Sequence, residues 1–483
     1  MIHSTGFALG SAPFAGLVAT MPRGVFGANA DTARNVMKIL STYMSGASER
    51  ALPDEVVEKT KHHIIDTFAA MLSGSRLLPG QRALKFAETF GGKGDATVVA
   101  SNIICSPIEA ALANGMLAHA DETDDSHAPS QCHPGCAVVP AAFAVGEQLV
   151  IQGEHFLRAV ALGYDIGTRV TMTLGGQEFE SQSHWSTHSI GPLFGAAAAG
   201  CSARLGAREI CRLLGYTAHQ SSGLACWNRD SEHVQKSFHF GGMTARSGVT
   251  SALVVQAGWT GIDDVFSGKD NFFAAYNPQA DPAGLIDKLG ERYEITRTNI
   301  KKWPVGSPIQ AALDALAEIR SEKPFEPDQV REIRVRLATD EAAIVNNREI
   351  PDICLQHMVA VMLLDKTVSF AAAHDGDRLK DSATLRERSK VQLVPDSELQ
   401  ELMPLRVAIV EVVLTDGSSL ARRVDNVRGT PENPMTTAEV VAKARELVAP
   451  ILGTPKAANL IEKLLHLDGL RDVRELRPLL QSH

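Results

Sequence analysis

At 483 residues the chain is longer than one hydrophobic core usually grows, so two domains are expected. Its 44% hydrophobic and 21% charged residues exclude a disordered or fibrous chain, and a net charge of −9 without any Lys/Arg-rich block excludes a nucleic-acid partner. No stretch reaches the ~20 uninterrupted apolar residues of a membrane span, and seven scattered cysteines do not form a disulfide framework, so a cytoplasmic, reducing setting is expected.

Residues 1–30 read as a flexible N-terminal extension; they lack the basic start of a signal peptide, since Arg23 follows the apolar stretch. From Asp31 to about Gly290 the pattern is helical, and residues 31–294 are predicted to form an all-helical domain. In Asp54–Gly74, apolar Val57, Ile64, Ile65, Phe68, Met71 and Leu72 recur at three- and four-residue steps. Further helices are predicted over Ile108–His119, Gly135–Val150, Phe156–Arg169, Phe194–Leu205, Ile210–His219 and Ala245–Ala257. Several are apolar nearly all round and belong in an interior.

After Glu294 the texture changes. Ile333, Val335 and Leu337 alternate with Glu332, Arg334 and Arg336, the period of a half-buried strand. Two more strands flank Asp416-Gly417, a pair that tolerates the positive φ of a tight turn. With helices at Ile309–Ile319 and Leu355–Leu364, residues 295–430 read as a smaller α+β domain. From Thr437 the helical period resumes, and residues 431–483 are expected to return to the first domain. The fold class is mainly α.

The densest polar cluster is His119-Ala-Asp121-Glu122-Thr-Asp124-Asp125-Ser126-His127, followed by His133-Pro134-Gly135. It is wedged between two apolar helices, where carboxylates beside histidines suit proton transfer near neutral pH. His133 precedes a helix start, whose positive potential disfavours imidazolium and keeps the ring available as a base. A second cluster, Ser183-His184-Trp185-Ser186-Thr187-His188-Ser189, precedes the helix predicted from Phe194 and offers hydroxyls and backbone N–H groups to an anion. Lys236-Ser-Phe-His239 and Lys301-Lys-Trp-Pro304 add the cations that a substrate with several carboxylates requires. Cys132 and Cys136 flank His133, but no second pair completes a zinc site, so no metal is expected.

In order and spacing these fragments resemble the MmgE/PrpD family, which includes 2-methylcitrate dehydratases, cis-aconitate decarboxylases and iminodisuccinate epimerases. The marks are Asn114-Gly115 before the acidic cluster, His133-Pro134, Ala161-Leu-Gly163-Tyr164-Asp165, Lys236-Ser-Phe-His239, Lys301-Lys-Trp-Pro304 and Arg428-Gly429-Thr-Pro-Glu432-Asn433-Pro434. The resemblance implies a helical domain, a lid-like α+β domain, a homodimer and a pocket between the domains with no cofactor. It matches His133 to a family histidine, Lys236 and Lys301 to two family lysines, and leaves His184 or His188 as a second histidine. It also implies Glu122 and Ser126 where the family more often has Asp and Thr.

The expected chemistry is a lyase reaction on a small hydroxy-polycarboxylic acid, with a proton removed beside a carboxylate and water eliminated. His133 is expected as base or acid with Glu122 or Asp124 as partner, and Lys236 and Lys301 as charge stabilisers. Asp125, Ser126, His127, Ser186 and His239 would line or orient the site. Epimerisation of an amino- or imino-dicarboxylate is the alternative, then decarboxylation, then a non-catalytic binding protein. The absence of any tyrosine after Tyr293 counts against decarboxylation, which the resemblance associates with a tyrosine from the second domain.

Overall fold

The computed structural model describes residues 26–481 apart from Ala197. The expected N-terminal extension therefore lies largely outside the described residues, and its last part is already helical, within Phe26–Ser45. The chain is mainly helical, with one two-stranded and one four-stranded sheet among the described residues.

Helix Asp54–Gly74 follows Pro53, carries Asp54 and Glu55 in its positive first turn, and buries Ile64, Ile65, Phe68, Met71 and Leu72. Helix Gly135–Leu149 is buried on every side from Gly135 through Glu147, as its all-round apolar composition demands. Helix Gly153–Leu174 buries Arg169, which is tolerated because Asp165 Oδ1 lies 2.9 Å from its Nε and it donates to the carbonyls of Asp287 and Arg292. The helix predicted from Phe194 instead begins at Thr187 and ends at Gly195, with a separate short helix Ala198–Ser202. Pro192 lies inside it; the missing backbone donor made the segment read as a loop, yet one proline is accommodated. His188 consequently sits on a helix.

One close approach positions the later site. A Cβ on Gly115, in helix Pro107–Ala118, would stand 2.3 Å from the carbonyl oxygen of Gly241. Only glycine allows these backbones to touch, and Gly241 belongs to a π-helical turn, Phe238–Gly242, that continues directly from Lys236 and Ser237.

The strand pair β1 (Ala96–Thr97) and β2 (Ile104–Cys105) is antiparallel. The larger sheet holds β3 (Val330–Ala338), β4 (Val391–Asp396), β5 (Ala408–Leu414) and β6 (Ser419–Val424) in the order β4-β3-β5-β6. β3 buries Ile333, Val335 and Leu337 while Arg331, Arg334 and Arg336 are exposed. β5 and β6 form the expected hairpin, with Gly417 at φ 87° in its turn. β4 was not foreseen: it runs parallel to β3 at the sheet edge, where Pro395 costs no ladder bond to a further strand.

The apolar side chains form two main cores. The first takes in Ile64, Phe143, Phe194, Ile295 and Ile300, then Val440, Leu447 and Leu476 near the C-terminus. The second takes in Trp303, Leu316, Val335, Met358, Val410 and Val427. The change of core falls between Ile300 and Trp303, a few residues later than expected, because Ile295 and Ile300 still pack among the helices.

Candidate functional site

The acidic segment after helix Pro107–Ala118 is not a solvated loop. Asp121, Glu122, Asp124 and Asp125 are all buried, and each carboxylate is met by a specific partner. Asp125 ties the segment to the helices: its Oδ1 accepts from the Gly135 backbone N–H at 3.1 Å, its Oδ2 accepts from the Tyr164 hydroxyl at 2.5 Å, and His63 Nδ1 lies 2.9 Å from Oδ2. Gly135 N–H stands at a helix start, where a carboxylate is favoured.

Asp124 sits between two imidazoles. His119 Nδ1 is 2.8 Å from its Oδ2 and His133 Nδ1 is 3.3 Å from its Oδ1. Burial alone would raise the Asp124 carboxyl; His119 and His133 override it and hold it well below the ordinary range. Glu122 is contacted by the Lys236 ammonium, while Lys301 Nζ lies 3.7 Å from its Oε2 and donates to its backbone carbonyl at 2.8 Å. Burial again opposes ionisation, but Lys236, Lys301 and His233 keep this carboxyl well below its usual value.

His133 Nδ1 lies 2.6 Å from the Asp125 carbonyl oxygen. A carbonyl only accepts, so Nδ1 carries a proton and Nε2 is the ring nitrogen left for another partner. Beside it stands an aromatic wall: Phe240 stacks with His119 at 4.5 Å and with His188 at 4.4 Å between centroids. His188 is also 5.4 Å from the His133 ring and meets Trp227 edge-on. Burial, with His133 and Lys236 nearby, holds His188 well below the ordinary imidazole value and so neutral. Lys236 Nζ lies 5.1 Å from the Trp227 ring and 5.2 Å from that of Phe240, a cation–π arrangement that orients its ammonium.

Among the described residues, donor atoms of His119, Asp124 and His133 lie within 4.8 Å of one another, close enough to surround a cation. Their chemistry fits a hydrogen-bonded relay better. His133 Nδ1 is already committed to a carbonyl, and Lys301 Nζ stands 3.7 Å from Asp124 Oδ1, so a positive charge already occupies the neighbourhood.

A cavity of about 280 Å³ opens between the two cores, lined in part by Ser126, Asn299, Lys301, Gln310 and Arg406. It shares Lys301 with the cluster but not Glu122, His133 or Lys236.

The chain matches the MmgE/PrpD N-terminal domain over residues 38–284 and the MmgE/PrpD C-terminal domain over residues 303–468. The chain belongs to the MmgE/PrpD family. Relatives within reach of this MmgE/PrpD chain include the cis-aconitate decarboxylase-like protein oryM of Aspergillus oryzae, 26% identical over 93% of this chain and 98% of that one. A cis-aconitate decarboxylase of Aspergillus terreus is 23% identical over 94% of this chain and 97% of its own. That of Homo sapiens is 23% identical over 93% and 95%.

Of the residues singled out in this MmgE/PrpD sequence, Glu122, Asp124, His133, Lys236, Lys301 and His188 come together. His184 does not: it is exposed at the end of helix Gly176–Ser183 with φ 63°, whereas the His188 ring stands beside that of His133. Ser126 exchanges backbone hydrogen bonds with Asn299, at 3.0 and 2.8 Å. His127 is buried beside Ser130, with Nε2 3.3 Å from Glu294 Oε2, so it braces the segment. Ser186 Oγ accepts from Trp227 Nε1 at 3.1 Å, and His239 is buried 5.6 Å from the Phe240 ring.

Several members were missed. His63 lies on the buried face of helix Asp54–Gly74, near buried His62, Asp66 and Thr67, a run of polar residues among apolar ones that could have flagged it. Phe240 and Trp227 look like ordinary core residues in sequence. Asp352 and His374 carry no motif at all.

Proposed function

We propose that the protein is a lyase that removes a proton beside a carboxylate of a small hydroxy-polycarboxylic acid and eliminates water. The observation that supports this best is the convergence of Lys236 and Lys301, 114 and 179 residues from Glu122 in sequence, beside a histidine whose Nδ1 is held by a backbone carbonyl. In this reading the two ammonium groups take substrate carboxylates and stabilise the enediolate that forms as the C–H bond breaks, an effect worth several kcal/mol in a water-excluding site. His133 Nε2 accepts the proton. Glu122 and Asp124 are held ionised, so neither serves as the acid in the resting site; the Lys236 ammonium is best placed to protonate the departing hydroxide. The C–O bond breaks, the electron pair closes the alkene, and water leaves. Closure of the second core over the cluster excludes bulk water.

A second reading is decarboxylation of an unsaturated tricarboxylic acid, favoured by the names of the relatives. There a C–CO₂ bond breaks, CO₂ departs, and the electron pair left on the substrate is quenched by a proton. The lack of a tyrosine after Tyr293 weighs against it.

NMR of the purified protein in D₂O with citrate, methylcitrate, aconitate, malate and aspartate-type acids separates these outcomes. Deuterium entry with alkene formation is the expected result. CO₂ release from aconitate would replace dehydration by decarboxylation, inversion without alkene would replace it by epimerisation, and no exchange with any acid would overturn the proposal.

A further inference from the structure

His374 follows the short helix Phe370–Ala373 of the second half of the chain, yet it reaches the segment that carries Glu122. Its Nδ1 lies 2.8 Å from the Phe370 carbonyl oxygen, which only accepts, so Nδ1 carries a proton. Its Nε2 faces Asp121 Oδ2 at 3.0 Å and Asp352 Oδ2 at 3.8 Å. A bare lone pair there would oppose the Asp121 carboxylate, so Nε2 is protonated as well and the ring is an imidazolium.

We propose that His374 is a positioning residue: its imidazolium, gripped between Asp121 and Asp352, ties the second core onto the segment that carries Glu122 and Asp124. Asp121 is well placed to transmit this, because it also accepts from the Thr123 backbone N–H at 3.1 Å and from the Thr123 hydroxyl. Fixing Asp121 therefore fixes the turn on which Glu122 stands. The charged groups around His374 are Asp121 on the segment and Asp352 before helix Leu355–Asp365, with Glu122 and Lys236 in turn acting on Asp352. Burial opposes charge on His374, but Asp121, Asp352 and the Phe370 carbonyl raise it to about 9. Burial pushes Asp352 up to about 7, with His374 partly offsetting it. A folded value raised this way holds the clasp at neutral pH and releases it as pH climbs through about 9. The catalytic consequence rests on the proposed proton-abstraction site; the clasp itself does not.

The test is hydrogen–deuterium exchange of residues 119–127 in the full-length chain, corrected for intrinsic rates, from about pH 6 to about pH 10. Wild type should lose protection as pH passes about 9, H374Q and D121N should lose at least tenfold already at neutral pH, and H374K should stay protected at high pH. Wild-type protection in H374Q, or loss in H374K at the same pH as wild type, overturns the proposal. Should H374Q fail to fold, D121N and the wild-type pH curve decide it. With a turned-over substrate, H374Q should lower kcat at least tenfold with KM changed less than about threefold, and H374K should move the alkaline limb upward. If wild type turns over no acid, the proposed reaction falls while the exchange measurement still judges His374.

Discussion

Lys443 donates to the backbone carbonyl of Thr123 at 2.9 Å across 320 residues of sequence, and its ammonium lies 2.6 Å from Asp66 Oδ1. A C-terminal helix thus reaches under the acidic segment and holds its backbone from below, while Lys301 holds the neighbouring carbonyl of Glu122. The segment is shaped by cations supplied from much later in the chain.

Replacing Lys443 with Met should destabilise the protein by ~3 kcal/mol, because it strands Asp66 buried without its partner. The double variant D66N/K443M should recover part of that loss. Urea unfolding of the three proteins checks this, and equal losses in the single and double variants would contradict it.

His133→Gln should slow substrate C–H exchange in D₂O by ~10²–10⁴-fold while leaving the melting temperature close to wild type. The Nε2 lone pair disappears, whereas the glutamine amide can still donate to the Asp125 carbonyl. Exchange within a factor of two of wild type would remove His133 as the base.

Lys236→Ala should lower kcat/KM by at least ~10²-fold. Lys236→Arg should restore only a fraction, since a planar guanidinium does not reproduce a compact ammonium packed beside Trp227 and Phe240. Steady-state kinetics on the acid identified by NMR decide this.

Gly115→Ala should cost ~1–3 kcal/mol and raise KM, because the added Cβ must displace the Gly241 backbone 2.3 Å away, and with it the turn that follows Lys236. Thermal unfolding and kinetics of the variant measure the two effects. A stable variant with altered KM would locate the contact's role in the site, not in the core.

Acid lability has a nameable contributor in Glu294. Burial would raise its carboxyl, but His127, Arg292 and Arg297 bring it down to about 2. A depressed folded value contributes stability above the unfolded value of 4.5, and that stability is lost as pH falls toward 2. Glu294→Gln should flatten this window by at most ~2 kcal/mol, since Arg297 is partly exposed and screened. Urea midpoints at a series of acidic pH values provide the readout.

The mainly helical class, the strand β3 and the β5–β6 hairpin were legible because each depends on local periodicity or on one turn dipeptide. The His119–His133 segment was legible because chemistry-bearing residues cluster in sequence there, and the two lysines because they match motifs of the MmgE/PrpD family. His188 was left tied with His184, since which of two nearby histidines faces inward depends on where the helix starts, and Pro192 obscured that start. β4 was missed because an edge strand with a proline and alternating polar residues carries a weak signal.

The amino-acid order alone determined the elements, their apolar faces and a stock of acid–base groups, all consequences of spacing along one stretch of chain. Only the tertiary structure decided which cation meets which carboxylate. Lys236, Lys301, His374 and Lys443 reach their partners through packing between distant segments, and that packing answers to the shape of two cores, which no local pattern encodes.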